Sequence, residues 1–106
     1  MSNTDGPLSP FSFEAEVIYW RGLSPFFFAP VPRERCDEIR RVSKLITYGW
    51  GMIPVEARIG AIVFRTSLFP KDEGYLLPIK ADARRRANIT AGDLVVVEMA
   101  VQPARR

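Results

Sequence analysis

Residues Leu76 to Met99, LLPIKADARRRANITAGDLVVVEM, decide the fold, since they spell a strand, a short helix, a tight turn and a second strand in one run. Leu76 and Leu77 close an apolar strand, and Pro78, which has no N–H to donate, is expected to stop its pairing. Asp82 stands where a carboxylate caps or favours the positive end of a helix, and Ala83 to Ala87 are good helix formers. Asn88 suits the left-handed conformation that ends a helix, Ile89 can pack back on it, and Gly92-Asp93 turns the chain into LVVVEMAV.

Outward from that run, period-two alternation places the other strands. In FEAEVIYW, Phe13, Ala15, Val17 and Tyr19 share one face and Glu14 and Glu16 the other, the pattern of one half-buried strand. IPVEARI turns Ile53, Val55, Ala57 and Ile59 inward and Glu56 and Arg58 outward, and Gly60 allows a tight turn into AIVFRTSLF, which makes a hairpin. In the last strand Val95, Val97, Met99 and Val101 lie opposite Glu98. Between these, a turn at Gly22 to Pro25 leads into the aromatic FFFAP, a proline, and Arg33 to Arg41, where Cys36, Ile39 and Val42 fall at helical spacing. The order apolar strand, proline, helix therefore occurs twice, which suggests an internal duplication. A chain with both halves can close a barrel alone and so remove exposed sheet edges.

The Leu76–Met99 run resembles, in its LP, its arginine, its Ile89 and its GD-x-V-x-V end, the signature of the AbrB, MazE and MraZ swapped-hairpin proteins, with Asn88 where those families have glycine. A closer resemblance covers Phe11 to Val101: FEAEVIYWRG, FFFAPVP, VEARIGAIVFRTSLFP, GYLLPIKADARRRA and GDLVVVEM, in that order. In these the chain is similar to the bacterial and archaeal family called domain of unknown function nineteen-oh-five. The segment Arg40 to Gly51 departs from that family in being longer and more aromatic. The resemblance implies a small double-split β-barrel and no established activity. The expectation is thus a mainly β, small closed β-barrel with one or two short helices. It would comprise a polar, disordered lead-in over 1–10, a single domain over 11–102 and a flexible tail over 103–106.

Composition narrows the chemistry. A chain of 106 residues is one domain, able to bury one modest core without a metal or disulfide. Its 47% hydrophobic content argues against disorder, yet no apolar run approaches the ~18 residues of a membrane span. MSNTDGPLSP lacks the basic start and apolar middle of a secretion signal, and a single cysteine, Cys36, leaves no internal disulfide, so a cytoplasmic protein is expected. The absence of histidine removes Ser-His-Asp and Cys-His nucleophiles, an imidazole base and histidine-bearing zinc sites. Asp72-Glu73, in a PKDEG turn, and Asp37-Glu38, among arginines, read as solvated charges. No enzyme activity, metal or cofactor is expected.

Three groups of residues can carry a function. Lys80, Arg84, Arg85 and Arg86, with Arg33, Arg35, Arg40, Arg41 and Lys44 on the related first-half segment, can contact phosphates. The net charge is only +3, however, and Glu34, Asp37, Glu38 and Asp82 dilute both patches. Three consecutive arginines on a helix also spread over about 300° of its axis, so they cannot all face one groove. The second group is aromatic: Trp20, Phe26, Phe27, Phe28, Tyr48, Trp50, Phe64, Phe69 and Tyr75. Phe13, Phe28 and Phe64 belong in the core, whereas Trp20, beside Arg21, and Trp50, in YGWGM with Tyr48, suit a ligand or partner surface. In the third, Arg65 and Ser67 share a strand face and can hold an anion together. The leading reading is a binding module for a small molecule or protein partner, through Trp20, Arg21, Tyr48, Trp50, Arg65 and Ser67, acting as a monomer or weak homodimer. An AbrB-like DNA-binding regulator using Lys80, Arg84, Arg85 and Arg86 comes second.

Overall fold

The computed structural model describes residues 10–21, 25–46, 53–72 and 74–102, with the side chains of 25 and 42–46 excepted. In chain order the elements are β1 (Phe11–Glu16), β2 (Ile18–Arg21), β3 (Pro25–Pro30), α1 (Arg33–Ile46), β4 (Ile53–Ile59), β5 (Ile62–Lys71), β6 (Gly74–Ile79), α2 (Ala81–Ala87) and β7 (Leu94–Val101). The strands form one antiparallel sheet in the order β1-β7-β4-β5-β6-β3-β2. It curls into a half-barrel, with two helices. The full closure expected from the sequence is not established. Its two outermost strands, β1 and β2, are nonetheless consecutive in the chain and separated only by Val17. That residue donates to the Asp93 carbonyl and accepts from the Gly92 N–H, both at 2.8 Å.

Two strands pass between the halves of the sheet. β5 pairs with β4 over Ile62–Leu68 and with β6 over Phe69–Lys71. The expected single strand FEAEVIYW does the same by breaking at Val17, so that β1 pairs with β7 and β2 with β3. Tyr19 still falls on the inner side, opposite Phe27, but the break leaves it largely uncovered, since β2 is exposed along its whole length. The expected duplication is visible in the topology: strand, proline and helix recur as β3–α1 and β6–α2, β3 pairs with β6, and the strands that follow, β4 and β7, pair with each other.

The concave face holds the core, built from the inward residues the alternation identifies: Val55 and Ala57 of β4, Val97 and Met99 of β7, and Leu77 of β6, each at most 1% exposed. Cys36 and Ile39 of α1 join them. The helix expected over Arg33 to Arg41 runs on to Ile46, into the segment that is longer and more aromatic than in the resembling family; the rest of that segment, 47–51, lies outside the described residues, as do 1–9, most of the lead-in, and the tail 103–106.

The deciding run folds largely as read. Asn88 closes α2 in the left-handed region (φ 59°, ψ 50°), Ile89 is buried, and Gly92 turns at φ 91°. One expectation fails. Pairing does not stop at Pro78 but runs on to Ile79, opposite Phe27. Val31 N–H donates to the Tyr75 carbonyl at 3.0 Å, in register with Ala29↔Leu77 and Phe27↔Ile79, so Phe28↔Pro78 is a position where no N–H points at β3. β5 has already left β6 beyond Leu76, and the proline costs the ladder nothing. Of the two roles open to Asp82 the structure leaves the second: the N-cap position falls on Lys80, without a side-chain bond, and Asp82 lies in the first turn, at the positive end of α2, and faces Arg86 at 3.7 Å.

Candidate functional site

Strands β2 and β3 form a ribbon that is apolar on both faces. Alternation puts Tyr19 and Phe27 on one face and Trp20, Phe26 and Phe28 on the other, and a half-barrel can bury only the first of these. On the inner face Tyr19 stacks on Phe27 at 4.9 Å, and Phe27 lies opposite Ile79. α2 closes over this pair. Its Arg84 guanidinium sits 4.2 Å from the Phe27 ring centre, and Nη1 donates to the Ile89 carbonyl at 3.1 Å, which fixes the side chain against the helix end. The groove so formed, of about 600 Å³, is walled by Tyr19, Phe26 and Phe27, by Ala81 and Arg84, and by Thr90 and Ala91 of the turn before β7. Arg84 is the one charged side chain among these walls.

On the outer face Phe28 is only 5% exposed although it is not part of the main core. It is covered by Trp20 (6.1 Å), Phe26 (6.0 Å) and Phe69 (6.4 Å), which with Pro78 line a second, entirely apolar hollow of about 220 Å³. Phe28 is thus buried, as expected with Phe13 and Phe64, but in this outer cluster rather than on the concave side. Lys71 Nζ stands 5.1 Å over the Trp20 ring. Trp20 and Phe26 remain 45% and 50% exposed, so the patch is open to solvent at its centre.

The residues singled out from sequence do not converge on one point. Trp20 lies on the outer face of the ribbon, whereas Arg21 shares the parity of Tyr19 and so the inner side. Arg65 and Ser67 do share the outer face of β5, as read, but Arg65 faces Glu56 at 3.7 Å across the ladder, so the nearest charge is already an anion. Tyr48 and Trp50 lie outside the described residues. Of the basic set, Arg84 is held on Phe27, Arg86 faces Asp82, Arg85 is exposed, and Lys80 begins α2. On α1, Arg35 lies over the Phe11 ring at 4.7 Å and bonds Glu38, while Arg40 bonds Asp37 at 2.9 Å. Burial pushes the Cys36 thiol above its ordinary pKa, an effect only partly offset by the backbone hydrogen bond from Tyr75, so Cys36 is an inert core group rather than a nucleophile.

Sequence reasoning missed Tyr19 and Thr90 altogether and left Phe26 and Phe27 as undivided members of an aromatic list. A signal was present: IYW and FFF each place large apolar residues on both faces of a strand, which an open-sided sheet can hide on one face only.

The fold and the groove define a small, mainly β protein, a curled antiparallel sheet built from two strand–proline–helix units, with an aromatic ribbon at its rim. The chain belongs to the family described as domain of unknown function (DUF1905), whose family model matches residues 13–99. No curated protein matches it. Among the described residues no helix is long and apolar enough to cross a membrane.

Proposed function

We propose that the chain is a non-catalytic binding module whose working surface is the groove between the β2–β3 ribbon and α2. The observation that supports this reading is the Arg84 guanidinium held over Phe27 in the wall of a groove of about 600 Å³ that is part aromatic and part polar. Such a site suits a flat or apolar group with a negative charge: the rings of Tyr19 and Phe27 receive the apolar part, and the Arg84 donors not used on Ile89 receive the anion. In this reading the chain works in the cytoplasm as a monomer or weak homodimer, with no metal or cofactor.

Titrating 15N-labelled protein with small aromatic acids such as 4-phenylbutyrate is expected to shift the amides of Tyr19, Phe27, Arg84 and Thr90, and Phe27→Ala is expected to abolish those shifts. If neither these acids nor aromatic acidic peptides perturb the groove, the reading fails. The DNA-binding alternative draws on Arg85 and Lys80, which the helix leaves exposed. It would displace the first reading if duplex DNA bound at physiological salt and the double substitution Arg84→Ala, Arg85→Ala removed that binding.

A further inference from the structure

We propose that the outer edge of β2, at Tyr19 and Arg21, takes up an extended acidic segment of another protein as an added strand, which rests on the groove being a binding site. The argument starts from backbone parity. Val31 N–H bonds the Tyr75 carbonyl, so alternate residues of β3, 27 and 29, direct their backbone groups to β6, and Phe26 and Phe28 direct theirs to Trp20 and Ile18. Tyr19 and Arg21 then turn their N–H and C=O groups away from β3. Along this edge the first rung already exists: Val17 bonds Asp93 and Gly92. There the chain departs, since Gly92 at φ 91° leads back through Thr90 to α2, and among the described residues no strand stands opposite Tyr19. The space beside Tyr19 is the groove itself.

Beyond its four-residue length and the terminal Arg21, this edge lacks the usual protection. β2 carries no proline or lysine, its pairing with β3 is one-to-one without a bulge, and its side chains are apolar up to Arg21. Charge selects the occupant. Arg84 lines the groove and Arg21 falls on the same side of the ribbon; among the described residues no acidic side chain lines it, and the Asp93 carboxylate beside it is taken up by the Thr90 N–H at 2.9 Å. A second copy of β2 would set Arg21 and Arg84 against their own equivalents, whereas a segment bearing a carboxylate neutralises them. An added strand pairing with Tyr19 turns every other side chain into the groove. The segment that fits therefore has an apolar and an acidic residue two positions apart.

The probe is acetyl-Thr-Phe-Val-Glu-Thr-amide, compared with 4-phenylbutyrate. In the protein alone the Tyr19 amide is expected to exchange with solvent much faster than that of Trp20. Saturating peptide should slow Tyr19 exchange at least about tenfold, as a new rung shields it. N-methylation of the peptide at Phe or Glu, whose N–H groups face β2, should abolish binding, and N-methylation at Val should not. Arg84→Gln should weaken the peptide about tenfold through loss of a charge-assisted bond, with Arg84→Lys weakening it less. If 4-phenylbutyrate binds but the peptide does not, or if the peptide binds regardless of where it is N-methylated, strand addition is overturned while the groove reading stands. If neither binds, both fall. Protection of Tyr19 that grows with protein concentration in the absence of peptide would assign the edge to a second copy and overturn the proposal.

Discussion

The convex side of the sheet has two regions built from the same backbone pattern and finished in opposite ways. Over β1, β7, β4 and the first part of β5, outward positions carry Glu14, Glu16, Glu56, Arg58, Arg65 and Glu98, with Val63, Leu94 and Val96 scattered singly among them. Arg58 Nε donates to Glu98 Oε1 at 3.0 Å across the ladder. Over β2, β3, β6 and the end of β5 the outward positions are Ile18, Trp20, Phe26, Phe28, Phe69, Leu76 and Pro78, and two of them, Phe28 and Leu76, are buried although they lie outside the main core cluster. Both regions share one core on the concave side. A sheet needs only one apolar face to fold, so the aromatic region has been given something the charged region was not. The difference sets β2–β3 apart as a ribbon with large apolar side chains on both faces, and a contiguous exposed apolar patch of this kind is what supports the proposal of a binding surface beside it.

The sharpest way to break the comparison is truncation on the two convex faces. Phe28→Ala should destabilise by about 3 kcal/mol, in the range of a core phenylalanine, because its ring is enclosed by three others. Val96→Ala, on the charged face, should stay within about 0.5 kcal/mol. Urea midpoints of the two variants decide the matter, and a loss of less than about 1 kcal/mol for Phe28→Ala would reduce the aromatic region to ordinary surface. Next in size is Gly92→Val, at the turn where the β2 edge loses its neighbour. Nothing lies within 4 Å of an added Cβ, so the whole effect comes from holding a β-branched residue at φ 91°, roughly 1–2 kcal/mol. An unchanged midpoint would mean the turn relaxes without strain.

On the charged face, a double-mutant cycle on Arg58 and Glu98 should give a coupling below about 1 kcal/mol that fades with salt, since both side chains are about half exposed. A larger value would make that face a stabilising network and weaken the contrast. The smallest effect near neutral pH concerns the concave side behind β6, where burial raises the Cys36 pKa. The folded state favours the neutral thiol, so its contribution is complete below the ordinary thiol pKa of about 8.5 and is lost as pH rises from there through the folded value. Urea midpoints from pH 7 to 10 should therefore fall more steeply for the natural chain than for Cys36→Ala. Equal slopes would show that this part of the core admits water.

Much of this was legible beforehand. The hairpin IPVEARIGAIVF, the last strand and the Asn88–Gly92 connection follow from alternation and from residues that tolerate left-handed backbone, and they stand where they were read. The site was less legible. Trp20 and Arg21 were chosen together because they are neighbours in sequence, and neighbours on a strand face opposite ways. Arg84 stands out in sequence by its charge and by its place in the AbrB-like signature, whereas its stacking on Phe27 joins residues far apart in the chain.

Sequence by itself determined the strand and helix inventory, the inward set from Val55 to Val101, and the recurrence of strand, proline and helix, because each depends on periods of two or of 3.6 residues and on local backbone preference. Only the tertiary structure decided that FEAEVIYW breaks at Val17, that pairing runs through Pro78, and that Phe28 is buried outside the core. Those outcomes depend on which strand lies beside which and on where a neighbour ends, as β5 does beyond Leu76 and β7 at Gly92. A periodicity within one segment carries no information about the strand across from it.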